Sequence, residues 1–68
     1  MQEEIYECLK AKGSIVLKSV QIKGETIHKT YFRWYDKKLL KHEEERLETF
    51  TNSNKKELIK SLQKEGLI

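Results

Sequence analysis

Ser14-Ile15-Val16-Leu17-Lys18-Ser19-Val20-Gln21-Ile22 is followed by Lys23-Gly24-Glu25 and then by Thr26-Ile27-His28-Lys29-Thr30-Tyr31-Phe32-Arg33-Trp34-Tyr35. The first run is rich in β-branched residues and has no helical period, so it reads as a strand. Lys23-Gly24-Glu25 reads as a hairpin turn. The second run carries three β-branched and four aromatic residues and reads as the returning strand.

Successive residues of a strand point to opposite faces. His28, Thr30, Phe32 and Trp34 share one face, which carries no permanent charge. Ile27, Lys29, Tyr31, Arg33 and Tyr35 share the other, where basic side chains alternate with apolar or aromatic ones. Burying Lys29 and Arg33 unpaired would be very costly. The Phe32/Trp34 face is therefore expected to meet the core, and the Tyr31/Arg33/Tyr35 face to look outward. The turn sets the partner side of the first strand. A two-residue Lys23-Gly24 loop places Ile15 and Leu17 with Phe32, whereas a three-residue loop with a glycine bulge places Val16 and Val20 there.

Outside the hairpin, Gln2 to Lys12 reads as a helix. Ile5, Cys8 and Leu9 fall at i, i+3 and i+4. Glu3 and Glu4 stand at the positive N-terminal end of its dipole, and Lys10 and Lys12 at the negative end. Gly13 is placed for a left-handed cap. At the other end, Asn54-Lys55-Lys56-Glu57 matches a capping box before Leu58, Ile59 and Leu62. Gly66 stops that second helix, and Leu67 can fold back on it. Residues 36–53 are ambiguous. Leu40, Leu47 and Phe50 have roughly helical spacing, and Glu43-Glu44-Glu45-Arg46 favours helix. Lys37 and Lys38 would stand at the wrong end of its dipole. A third strand over Arg46 to Thr51 is preferred. The expected fold is a single α+β domain over residues 1–68. Its order is α-β-β-β-α, with the two terminal helices packed on one face of an antiparallel sheet.

Sixty-eight residues allow one small core. A chain of this size buries only about 60% of its unfolded surface, so self-association is one route to stability. Cys8 is the single cysteine, which excludes a disulfide within the chain and fits a reducing, cytoplasmic compartment. No apolar run approaches the ~20 residues of a membrane span, so no membrane partner is expected. The net charge of +3 permits contact with nucleic acid without demanding it.

Chemical motifs are sparse. His42-Glu43-Glu44-Glu45-Arg46 opens like a zinc-protease motif but has Arg46 where the second histidine is required. Cys8 lies on an apolar stripe, where buried cysteine is common. The three glycines are too far apart for a phosphate loop. Neither a metal nor a cofactor is expected, and the chain is read as a non-enzyme.

The α-β-β-β-α order is the layout of double-stranded-RNA-binding domains. It is also that of small mRNA-interferase toxins of the HicA type. The second half of the chain resembles the toxins through Lys23-Gly24 after a strand, the nearby His28, and a closing Leu58-Ile59-x-x-Leu62 helix ending in Gly66-Leu67. It departs from them where Glu25-Thr26-Ile27 separates glycine from histidine. The resemblance implies RNA cleavage with His28 as general base, a minor alternative here.

Lys29, Tyr31, Arg33, Tyr35, Lys37 and Lys38 form the expected partner surface. Interfaces between proteins favour Tyr and Arg, so a protein partner or a second copy is the first expectation. Nucleic acid, RNA or single-stranded DNA, is the alternative. Its bases would stack on the tyrosines and its phosphates would meet the basic side chains.

Overall fold

The computed structural model describes residues 2–68. Four strands form one antiparallel sheet in the order β1-β2-β3-β4, followed by one helix. The elements are β1 (Gln2–Glu7), β2 (Ser14–Ile22), β3 (Glu25–Asp36), β4 (Lys41–Asn52) and α1 (Lys55–Lys64).

This corrects the α-β-β-β-α expectation. The segment expected to be the first helix is an edge strand followed by a loop. β1 pairs along β2 from Gln2↔Ser19 to Glu7↔Ser14. The backbone of β2 presents a hydrogen-bonding edge on each side, and β1 satisfies the one that β3 leaves open. That ladder outweighs the helix propensity of Gln2, Glu3 and Glu4. Ile5 and Leu9, the supposed helix stripe, are largely exposed, and only Cys8 is buried. The layout shared by the RNA-binding domains and interferase toxins is therefore absent.

The β2–β3 hairpin uses the two-residue loop. Ile22 pairs with Glu25, and both Lys23 (φ 51°) and Gly24 (φ 78°) are left-handed. Two left-handed residues match the twist of the flanking strands. The register then sets Ile15 opposite Phe32 and Leu17 opposite Thr30. Ile15 and Leu17 are buried with Cys8, Leu58 and Leu62, and Tyr6, Phe32, Leu47, Phe50, Ile59 and Leu67 pack around them. Thr30 lies in the same layer, fully buried, and among the described residues its Oγ1 has no hydrogen-bond partner. Thr30→Val keeps the shape and removes the stranded hydroxyl. It should raise the unfolding free energy by about 1 kcal/mol, read from the urea midpoint; a lower midpoint would show that the hydroxyl is satisfied in solution.

The ambiguous segment is strand, and longer than Arg46 to Thr51. Tyr31 pairs with Arg46 and Lys29 with Thr51, so residues 47–50 stand opposite Thr30 alone. This larger bulge, four residues against one, lets both Leu47 and Phe50 reach the core, which explains their helix-like spacing. Charge along the outer edge of β4 also discourages unwanted strand pairing.

The β3–β4 turn is held by Asp36, whose Oδ1 accepts from the N–H groups of Lys38 (2.8 Å) and Leu39 (3.1 Å). Leu40 closes it with φ 54° while 75% exposed. A left-handed leucine carries a steric cost of about 1–2 kcal/mol. Leu40→Gly should therefore stabilise the fold by about 0.5 kcal/mol after the extra entropy of unfolded glycine, visible as a small rise in Tm. A fall in Tm would mean that the leucine side chain makes a contact worth more than this strain.

The C-terminal helix begins at Asn54, whose Oδ1 accepts from the Glu57 N–H at 3.2 Å. The capping box is half formed, because the Asn54 N–H donates to Asn52 Oδ1 instead of Glu57. Gly66 (φ 74°) ends the helix, and the Leu67 N–H donates to the Leu62 carbonyl at 2.9 Å. The Leu9 N–H in turn donates to the Leu67 carbonyl at 2.8 Å, joining the C-terminal tail to the β1–β2 loop. No helix is long and apolar enough to cross a membrane among the described residues.

Candidate functional site

The helix covers one face of the sheet and leaves the other open. Alternation in register places Glu3, Ile5 and Glu7 of β1 on the open face, with Val16, Lys18, Val20 and Ile22 of β2. Ile27, Lys29, Tyr31, Arg33 and Tyr35 of β3 share it, as do His42, Glu44 and Arg46 of β4. The covered face holds Tyr6, Ile15, Leu17, Thr30, Phe32 and Trp34. Phe32 packs against the core. Trp34 stacks on Phe32 with ring centroids 5.6 Å apart and is half-buried.

An ion-pair network crosses the middle of the open face. Arg33 Nη2 donates to Glu44 Oε1 (2.8 Å) and to Glu3 Oε1 (2.9 Å). Lys18 Nζ donates to Glu44 Oε2 at 2.7 Å and lies 4.5 Å from the centroid of the Tyr31 ring. Val16, between Ile5 and Tyr31 in the ladder, is fully buried even though no helix covers it. The aliphatic stems of long charged side chains shield apolar surface in this way.

Lys18 and then Arg33, by hydrogen bonding to its carboxylate, hold Glu44 below the usual carboxylate range. The same bonds from Glu44 and Glu3 keep Arg33 protonated above its ordinary value. A depressed carboxylate contributes stability above its unfolded pKa of about 4.3 and loses it as pH falls through the folded value. Part of the stability should therefore be lost below about pH 4, and Glu44→Gln should flatten that part of the acid profile. Equal acid slopes for both proteins would contradict this role of Glu44.

The six residues expected to form a partner surface divide into two groups. Lys29, Tyr31 and Arg33 lie in the middle of the open face, with Tyr31 half-buried beneath Lys18 and Arg33 engaged by two carboxylates. Tyr35, Lys37 and Lys38 lie at its far end. Tyr35 is 50% exposed and makes an edge contact with His42 at 5.2 Å between ring centroids. Lys37 and Lys38 belong to the β3–β4 turn.

Sequence reasoning missed Ile5 and Ile22, 58% and 47% exposed on the same open face. The signal was present in Ile22, because the two-residue loop puts even-numbered residues of β2 outward. For Ile5 there was none without β1. Reasoning also missed Lys12 and His42, which the fold brings beside Tyr35.

His28 is on the covered face, with Nδ1 2.6 Å from Ser19 Oγ. That contact occupies the nitrogen with a neighbour in the ladder, a structural arrangement. Among the described residues, no three His, Cys, Asp or Glu side chains converge as a metal site. Compared with protein-family models, curated proteins and solved structures, the chain matches none.

Proposed function

We propose that this chain is a small non-enzymatic interaction module whose open sheet face pairs with a second copy of itself. The observation that carries the reading is a helix-free sheet face on which Ile5, Ile22 and Tyr35 stand exposed around Lys18 and Arg33, both already paired with carboxylates. Desolvating ions that keep their partners costs far less than desolvating free ones. The face also holds both signs of charge, with Glu3, Glu7 and Glu44 beside Lys18, Lys29, Arg33 and Arg46. A two-fold interface needs such self-complementarity. A second copy would add apolar burial to a core built around five buried side chains. The unpaired, buried thiol of Cys8 suits a cytoplasmic setting.

Nucleic acid laid along the centre of this face is the weaker reading, because Arg33 and Lys18 already serve Glu3 and Glu44. The test is mass in solution by light scattering at several protein and salt concentrations. The expected result is a dimer that persists in high salt and becomes monomeric with Ile5→Lys or Ile22→Lys. Both residues are exposed, so the variants should keep the wild-type circular dichroism. A wild-type protein that is monomeric at every concentration would defeat self-pairing.

A further inference from the structure

β3 outruns β2. Ser14, the first residue of β2, pairs with Arg33, so Trp34, Tyr35 and Asp36 continue with β4 as their only strand partner. The result is a step at the end of the sheet. A cleft of about 440 Å³ occupies it, lined by Lys12, Gly13 and Ser14 on one side and by Arg33, Trp34, Tyr35, Lys37 and His42 on the other.

The lining joins two kinds of group. Tyr35 and His42, from the open face, supply aromatic surface, Trp34 borders the cleft from the covered face, and most of the cleft wall is apolar. Lys12 and Lys37 supply positive charge, and neither is within salt-bridge distance of a carboxylate among the described residues. Of the acids on the adjoining strands, Asp36, Glu43 and Glu44 have other partners, while Glu7, across from Ser14, has none among the described residues. Asp36 accepts from the turn N–H groups, Glu44 is shared by Lys18 and Arg33, and Glu43 stands across from Trp34 and 3.5 Å from Lys41. The cleft therefore joins the Tyr35 and His42 rings to two lysines, Lys12 and Lys37, that form no ion pair among the described residues.

We propose that this step is a binding site for a phosphorylated nucleoside, either a free nucleotide or the end of a single strand. The base lies against Tyr35 and His42 on the open side of β3, because every nucleobase has a face that stacks on aromatic rings. The phosphate lies between Lys12 and Lys37, where ammonium groups donate to its oxygens. Gly13 lets the β1–β2 loop approach β3 closely enough to form the wall. Tyr35 and His42 also belong to the open face, so a second copy seated there would compete with the nucleotide, and the titration is run at protein concentrations where light scattering shows monomer.

Trp34 is the only tryptophan in the chain, so its fluorescence reports on the cleft directly. Titration of the full chain with adenosine 5′-monophosphate at low salt should give saturable quenching. Adenosine or inorganic phosphate alone should bind more weakly, since each offers one half of the recognised chemistry. Lys12→Ala and Lys37→Ala should each weaken the nucleotide by about tenfold, the loss expected for one charge-assisted hydrogen bond. Lys64→Ala, outside the cleft, should change nothing. Tighter binding of a 5′-phosphorylated oligonucleotide than of the mononucleotide would assign the strand end as source, and equal binding the free nucleotide. No saturable change at millimolar nucleotide overturns the proposal, as does binding unaltered in the Lys12/Lys37 double variant. A phosphotyrosine peptide that binds more tightly than every nucleotide also overturns it. Light scattering on the same samples keeps this outcome separate from the oligomeric state.

Discussion

Gly13→Ala is expected to destabilise the protein by about 3 kcal/mol or more, the upper end of what overpacking costs. A β-carbon at this position would lie 2.5 Å from the backbone oxygen of Arg33 and 2.7 Å from the Phe32 ring. The ring could rotate away, but the oxygen belongs to a central strand and cannot move without disturbing the β2–β3 ladder. The Gly13 carbonyl also accepts from the Cys8 N–H at 3.2 Å, so moving the loop would loosen the buried thiol. The reason for glycine here is close approach. Its φ lies outside the left-handed range, contrary to the cap expected from a helix ending at Lys12. Urea unfolding followed by circular dichroism measures the loss. A midpoint equal to wild type would show that the loop does not sit against β3. Gly24→Ala is a useful comparison, since nothing lies within 4 Å of its added carbon and any loss there comes from its φ of 78°.

Leu62→Ala should cost a further large amount, about 2–5 kcal/mol, because the side chain is fully buried in the single core cluster. The stability of a chain this short is itself only about 3–10 kcal/mol at ordinary per-residue values. The variant should therefore lose a large share of its stability, with a much lower Tm and a coincident loss of helix and sheet signals on heating. Leu58 lies one turn earlier in the same cluster and should behave alike. Retention of the full sheet signal in Leu62→Ala after the helix signal is lost would mean that the sheet is stable without α1. That would make the helix dispensable to the fold and leave both sheet faces open.

Some of this architecture was legible from short-range chemistry. Lys23-Gly24 between two β-rich runs marks the hairpin, and the register then chose the two-residue loop over the three-residue one. Asn54, Gly66 and Leu67 mark the ends of α1 by satisfying its terminal backbone groups within a few residues. Strand alternation separated Phe32 from Tyr31 and Arg33 because a side-chain period of two is a property of the backbone.

Other features depend on partners distant in the chain. Gln2 to Glu7 has helix-forming residues and a plausible stripe, yet becomes strand because the free edge of β2 supplies a backbone ladder. Leu47 and Phe50 share a face only through the four-residue bulge opposite Thr30. Arg33 looks like a free cation in sequence, yet Glu3, thirty residues earlier, and Glu44, eleven later, both reach it. The cleft at the sheet end exists because β3 is longer than β2 and the β1–β2 loop closes beside it. By itself the sequence determined the place of the hairpin, the helix cap and the alternation along the hairpin strands, since each is decided by φ, ψ and hydrogen bonds among near neighbours. Only the tertiary structure decided the edge strand, the bulge and the pairing of charges across the open face, because those energies arise between segments that chain order does not bring together.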